Sequence, residues 1–253
     1  MFDLKGKVAV VTGASSGLGV QFALALGRQG ADVAVLARRK EMLEKTAEDV
    51  RALGVRSLAV VCDVGCTDSI RDAASAVVQE FGRVDILVNN AGVGIGAPAE
   101  TMTDEVWGKV IDINLGSVFR VTREFAKEII KSGSGRIINI SSIYGILGGT
   151  LASLNYYASK GGIGMLTRAQ AASYAKYNIT VNAIAPGFFA SEMTEEYIDA
   201  DETKDFVSRT IPLRRIGKPG ELDGAIVYFA SDESAYTTGT LLPVDGGQTS
   251  APF

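Results

Sequence analysis

Histidine is absent from this chain of 253 residues. Without imidazole there can be no Ser-His-Asp or Cys-His nucleophilic machinery, and a catalytic zinc site loses its usual nitrogen ligand. Proton transfer near neutral pH then falls to another side chain whose pKa its surroundings have moved. Cysteine is almost as scarce. Cys62 and Cys66 are the two thiols, too few for a disulfide framework, and they read as buried or half-buried thiols of a reducing, cytoplasmic compartment. No run approaches the roughly 18 uninterrupted apolar residues of a membrane-spanning helix. Met1–Lys7 carries Asp3, Lys5 and Lys7, and the apolar run Val8–Val11 stops at Thr12-Gly13, unlike a secretory signal. There is no basic stripe either. The 25 Lys and Arg against 29 Asp and Glu give a formal charge of −4 without long blocks, which speaks against nucleic acid or an anionic membrane as partner.

What the chain does have is glycine, 29 residues of it, with 47% apolar and 21% charged residues. That is a globular balance, and the length fits one α/β domain spanning residues 1–253. Short β-branched runs alternate with longer helical patterns. The expected strands are Lys7–Thr12, Val33–Ala37, Ser57–Cys62, Ile86–Asn89, Arg136–Ser141, Thr180–Ile184 and Leu241–Val244. The expected helices are Gly17–Gln29, Glu41–Ala52, Asp68–Glu80, Thr103–Lys131, Tyr156–Tyr177 and Pro219–Ala230. Strands this apolar are covered on both faces. The pattern predicts a single Rossmann-like, doubly wound α/β domain: a seven-stranded parallel sheet with helices on both faces. The acid-rich stretch 188–210 reads as a substrate lid or a plain surface loop.

Strand one runs into Gly13-Ala14-Ser15-Ser16-Gly17-Leu18-Gly19 and a helix. Glycines at such a junction allow a tight turn and let backbone N–H groups approach a pyrophosphate at the helix start. An NAD site usually places an acid about 20 residues past the glycine loop, to accept from the ribose 2′-hydroxyl. Here strand two ends Leu36-Ala37-Arg38-Arg39, with no carboxylate before Glu41. Arg38 suits a 2′-phosphate, which favours NADP(H) as cofactor and leaves NAD(H) as the alternative.

Tyr156 and Lys160 stand four apart on an expected helix, so they share a face. A free tyrosine titrates near pH ~10, and a neighbouring ammonium favours its phenolate. Tyr157 lies three residues from Lys160, and helix geometry alone does not choose between the two tyrosines. Gly13, Arg38, Asp63, Asn90, Ser142 and Pro186 each follow a different expected strand, placing them at the carboxyl edge where open α/β sheets bind ligands.

The glycine loop, Asn89-Asn90-Ala91-Gly92, Asn114, Ser142, Tyr156-x-x-x-Lys160, Pro186-Gly187 and Val244-Asp245-Gly246-Gly247 together resemble the short-chain dehydrogenase/reductase family, over essentially the whole chain. The resemblance implies a ketone–alcohol oxidoreductase. Its spacing selects Tyr156 as general acid in reduction and base in oxidation. Lys160 would hold the nicotinamide ribose, Ser142 the reacting oxygen, and Asn114 a water in a proton relay. The loop residues Gly13, Ser15, Ser16, Gly17, Leu18 and Gly19 would cradle the nucleotide. Asp63 and Val64 would meet the adenine, Asn90, Ala91 and Gly92 the ribose region, and Pro186 and Gly187 the carboxamide. No metal is implied.

The substrate is a small carbonyl or alcohol. Ile143, Tyr144, Leu147, Leu151, Phe188, Phe189 and Met193 offer an apolar wall under an acidic rim, which suits a neutral or lipophilic ketone. Residues Met1–Lys7 and Gly187–Thr194 are instead similar to gluconate 5-dehydrogenase-like members, which points to a sugar acid or polyol. Reducers of acyl-carrier-protein thioesters tend to be basic near Ser134 and Tyr177, and this chain is not. Helix Tyr156–Tyr177 carries only Lys160, Arg168 and Lys176 as charged residues, so it asks to be buried, and the resemblance implies that it and Thr103–Lys131 form contacts within a homotetramer. The rival of another class is a dinucleotide sensor without chemistry, but tyrosine, lysine and serine are all in place.

Overall fold

The computed structural model describes residues 1–149, 152–189 and 201–250. Its strands are β1 (Val8–Thr12), β2 (Asp32–Ala37), β3 (Ser57–Val61), β4 (Ile86–Asn89), β5 (Gly135–Ile140), β6 (Ile179–Pro186) and β7 (Leu241–Val244). Its helices are α1 (Gly17–Arg28), α2 (Lys40–Arg51), α3 (Thr67–Phe81), α4 (Asp104–Ile111), α5 (Ser117–Lys131), α6 (Leu154–Tyr174), α7 (Asp201–Thr210) and α8 (Asp223–Ala230). The strands form one seven-stranded sheet in the order β3-β2-β1-β4-β5-β6-β7, and every pairing is parallel.

Strand alternation distributes the apolar residues to two cores. Ala9, Val11, Val33 and Val35 face Phe22 and Leu26 of α1, Leu43 of α2, and Ile226 and Phe229 of α8. Their neighbours Val8, Val10, Ala34 and Leu36 face Ile70 and Val77 of α3, Phe125 and Ile129 of α5, and Ala171 of α6. The fold is thus the doubly wound sheet expected. Truncating a phenylalanine buried as fully as Phe22 or Phe125 costs about 3–5 kcal/mol.

Three expected helices differ from those observed. The run Thr103–Lys131 is interrupted by a π-helical turn at Asp112–Gly116, between α4 and α5. The run from Pro219 becomes helical only at Asp223, because Gly220 has a φ of +88° that no right-handed helix accepts. The run to Tyr177 ends as a 3₁₀ turn after Tyr174. Within 188–210, α7 is a full helix held by Arg209–Asp205 at 2.9 Å and by Thr210 Oγ1 donating to the Phe206 carbonyl at 2.8 Å. The rest of that expected lid, residues 190–200, lies outside the described residues, as does Leu151.

Candidate active site

Because all strands run parallel, their carboxyl ends share one edge. Gly13 follows β1, Arg38 follows β2, Asp63 lies just past β3, Asn90 follows β4, Ser142 lies just past β5, and Pro186 closes β6 ahead of Gly187. The order reverses direction between β1 and β4, opening the crevice where such sheets hold nucleotides.

The glycine loop is built across that crevice. Gly13 and Gly17 have φ of +67° and +55°, conformations that disfavour any side chain. A Cβ on Gly13 would stand 2.8 Å from the Ala91 Cα, and one on Gly19 would strike the Gly13 carbonyl and the Asn90 Nδ2. Asn90 Nδ2 donates to the Thr12 carbonyl at 3.0 Å and to the Gly13 carbonyl at 3.2 Å. Thr12 Oγ1 in turn accepts from the backbone N–H groups of Asn90 and Ala91. The β1 and β4 ends are therefore laced together, with the Asn90 amide turned toward the loop. Ser16 is the N-cap of α1, yet its hydroxyl makes no capping bond. Instead the Arg39 guanidinium donates to Ser16 Oγ at 2.6 Å and to Ser15 Oγ at 3.2 Å. Arg38 and Arg39 are both exposed, and Arg39 is the one that bends over the loop. A cradle with no room for Cβ atoms, a helix N-terminus and two guanidinium groups fit a phosphorylated dinucleotide.

The catalytic candidates converge beside it. Lys160 is 5% exposed. Its Nζ donates to the Ile140 carbonyl at 2.9 Å and lies 5.5 Å from the centre of the Tyr156 ring. Burial pushes its ammonium down to about 8. Tyr157 packs against Tyr144 instead, ring centres 5.0 Å apart. Ser142 caps the 3₁₀ turn Ile143–Gly145, its Oγ accepting from the Tyr144 N–H at 3.2 Å. The neighbouring Ser141 Oγ donates to the Lys160 carbonyl at 2.8 Å, tying this turn to α6. A Cβ on Gly145 would stand 2.6 Å from that same carbonyl, so glycine is what lets the turn press against the helix.

Asn114 sits in the π turn and is fully buried. Its Oδ1 accepts from the Val93 N–H at 2.8 Å, and its Nδ2 donates to the Val93 carbonyl and to Ser159 Oγ. A Cβ on Gly92 would stand 3.3 Å from Asn114 Oδ1 and 3.7 Å from Lys160 Nζ. Asn114 and Lys160 therefore both approach Gly92 in the loop after β4. Asp63 Oδ1 accepts from the Gly65 N–H at 2.9 Å, which shapes the turn after β3, where Val64 is buried. The Gly187 N–H donates to the Val244 carbonyl at 3.0 Å. Asp245 holds the chain that follows by accepting from the N–H groups of Gly247 and Thr249.

Several residues that build the site carry no motif of their own. Asn155 Nδ2 donates to the carbonyls of Ile95 and Val106, and its Oδ1 accepts from the Tyr156 N–H. It fixes the start of α6, one residue before the tyrosine. Asn89 bonds Thr122 of α5 and Asn139 of β5, and Asn139 bonds Thr167 and Gln170 of α6. Polar residues inside an apolar strand were the available signal, since buried amides need partners. Among the described residues no group of side chains could hold a metal ion, and no helix is long and apolar enough to cross a membrane.

A fold with its nucleotide crevice at the β1/β4 switch and a Tyr–Lys pair beside it defines a class of nicotinamide-dependent oxidoreductases. The chain belongs to the short-chain dehydrogenase/reductase family, whose members act on CH–OH and C=O groups. The family model that matches residues 13–249 is described as enoyl-(acyl carrier protein) reductase. The chain is 40% identical over 244 residues to the 3-oxoacyl-[acyl-carrier-protein] reductase FabG of Thermotoga maritima, covering 96% of this chain and 98% of that one. It is 36% identical over 249 residues to the gluconate 5-dehydrogenase of Gluconobacter oxydans, covering 98% and 97%. The crystal structure of a gluconate 5-dehydrogenase from Burkholderia cenocepacia, in complex with NADP and tartrate, superposes with a TM-score of 0.95. That structure is 35% identical and covers 99% of this chain and 98% of its own.

Proposed function

We propose that the chain reduces a ketone to a secondary alcohol, and runs the reverse reaction, with NADP(H) as preferred cofactor. The observation that carries this reading is the buried Lys160 ammonium beside the Tyr156 ring, at the sheet edge that holds the glycine cradle. The nucleotide, when bound, supplies or accepts the hydride. The chain's own residues do the rest. Tyr156 gives its phenolic proton to the carbonyl oxygen during reduction and takes it back during oxidation. The Lys160 ammonium favours the phenolate this leaves and would hold the nicotinamide ribose of a bound nucleotide. Ser142 donates to the reacting oxygen as charge develops on it. Asn114 holds the relay that returns a proton to the site.

Preference for the 2′-phosphate rests on Arg38 and on Arg39, whose guanidinium already reaches Ser15 and Ser16, with Ala37 in place of a carboxylate. Arg39 joins the cofactor residues read from the sequence. The complex of a relative with NADP supports the same preference. Absorbance at 340 nm is expected to fall faster with NADPH than with NADH when a ketone is supplied. Replacing Ala37→Asp together with Arg38→Leu should move selectivity toward NADH; selectivity unchanged by the pair would count against this assignment.

A homotetramer and a cytoplasmic location belong to the same reading. Trp107 on α4, Phe119 on α5 and Met165 on α6 are exposed on the single chain, Met165 at 62%. Large apolar side chains left in water on these three helices favour a subunit contact there.

A further inference from the structure

Resting on the ketone–alcohol reading above, we infer that the site selects a neutral ketone carrying a planar apolar ring, and discriminates against keto acids. Four aromatic rings form a row that starts on α6, one residue after Tyr156, and reaches α7. Tyr157 follows Tyr156 and meets Tyr144 edge to face, ring centres 5.0 Å apart. Tyr144 meets Phe188 edge to face at 6.4 Å. Phe188 meets Phe206 of α7 at 5.4 Å.

Two of the rings are anchored at points already placed in the site. Tyr144 lies two residues past Ser142 and its N–H is held by that serine. Phe188 follows Gly187 at the end of β6. None of the four is fully buried, and Phe206 is 37% exposed, so the row still offers apolar surface. Aromatic surfaces of this kind favour a ring partner, stacked or edge-on.

Charge points the same way. The segment 143–155 holds no charged residue, and neither does Gly187–Phe189 at the end of β6. The first cations beyond it, Lys204 and Arg209, are paired on their own helix with Asp201 and Asp205. Recognition of a substrate carboxylate calls for a cation, best a bidentate arginine. The described residues of these segments, 143–149, 152–155 and 187–189, bring none.

The test compares initial rates of NADPH oxidation by the full-length protein with acetophenone, 4-acetylbenzoate and butanone. The first two differ by one carboxylate, and the third lacks the ring. The expected result is a kcat/KM for acetophenone about tenfold above each of the others. Tyr144→Ala and Phe206→Ala should each raise KM for acetophenone about fivefold more than KM for butanone. Each comparison is a ratio within one protein, so a partly unfolded variant, which lowers kcat for both ketones alike, does not mimic the effect. Equal or better use of 4-acetylbenzoate, equal use of butanone, or KM ratios unmoved in both variants would overturn the inference and leave ketone reduction standing. No NADPH consumption with any of the three, nor with a keto sugar acid, would overturn both.

Discussion

Lys160 is the residue on which the electrostatics of the site turn. Among the described residues no carboxylate stands beside it to offset its burial, and its ammonium is stabilised by the Ile140 carbonyl alone among the bonds described. Its pKa, pushed down to about 8, lies below that of the unfolded chain. Between these two values the unfolded chain binds more protons, so the cost of burying this charge is present below pH about 8 and is relieved above it. The functional consequence has the opposite sign. The free enzyme loses the Lys160 cation as pH rises through about 8, and kcat/KM with NADPH as the varied substrate is expected to fall there, since this ratio reports the free enzyme's groups. A profile flat to about pH 9.5 would show that this charge is not needed. Of the two arginines after β2, the sequence pointed to Arg38, and the structure adds Arg39. Composition could not separate them, because the choice depends on the extended backbone of Arg39 at the N-cap of α2.

At the scale of elements, the strands were legible to within a residue or two, because β-branched runs bounded by glycine have few other uses. The Tyr156–Lys160 helix was legible from spacing. The π turn at Asp112–Gly116 was not, because widening one turn changes no composition and leaves the apolar stripe on either side in phase with a helix. Such turns gather at functional sites, and this one carries Asn114 under the loop after β4. Asn114→Ala would leave the Val93 N–H and carbonyl without their partner, and Ser159 Oγ with only its bond to the Tyr156 carbonyl. The expected loss is about 1–3 kcal/mol of stability, read as a lower midpoint in urea, together with slower turnover. A variant as stable and as fast as the parent would remove Asn114 from both roles. Helix α7 escaped for another reason. Its acids and bases read as a polar loop until their i,i+3 and i,i+4 pairing is seen in space.

For the whole molecule, seven parallel strands bring the segments that follow them to one edge, and the proposed function rests on that convergence more than on any one motif. Exposed Trp107, Phe119 and Met165 lead us to expect light scattering to give four times the 26.6 kDa mass of the chain; a monomer at micromolar concentration would contradict it.

The central claim is that Tyr156 moves the proton, and ketone-dependent NADPH oxidation by Tyr156→Phe and Tyr157→Phe tests it most directly. We expect Tyr156→Phe to bind NADPH yet lose about two to four orders of magnitude in kcat, while Tyr157→Phe keeps most of its turnover. Full activity in Tyr156→Phe, or the loss falling on Tyr157→Phe instead, would contradict it.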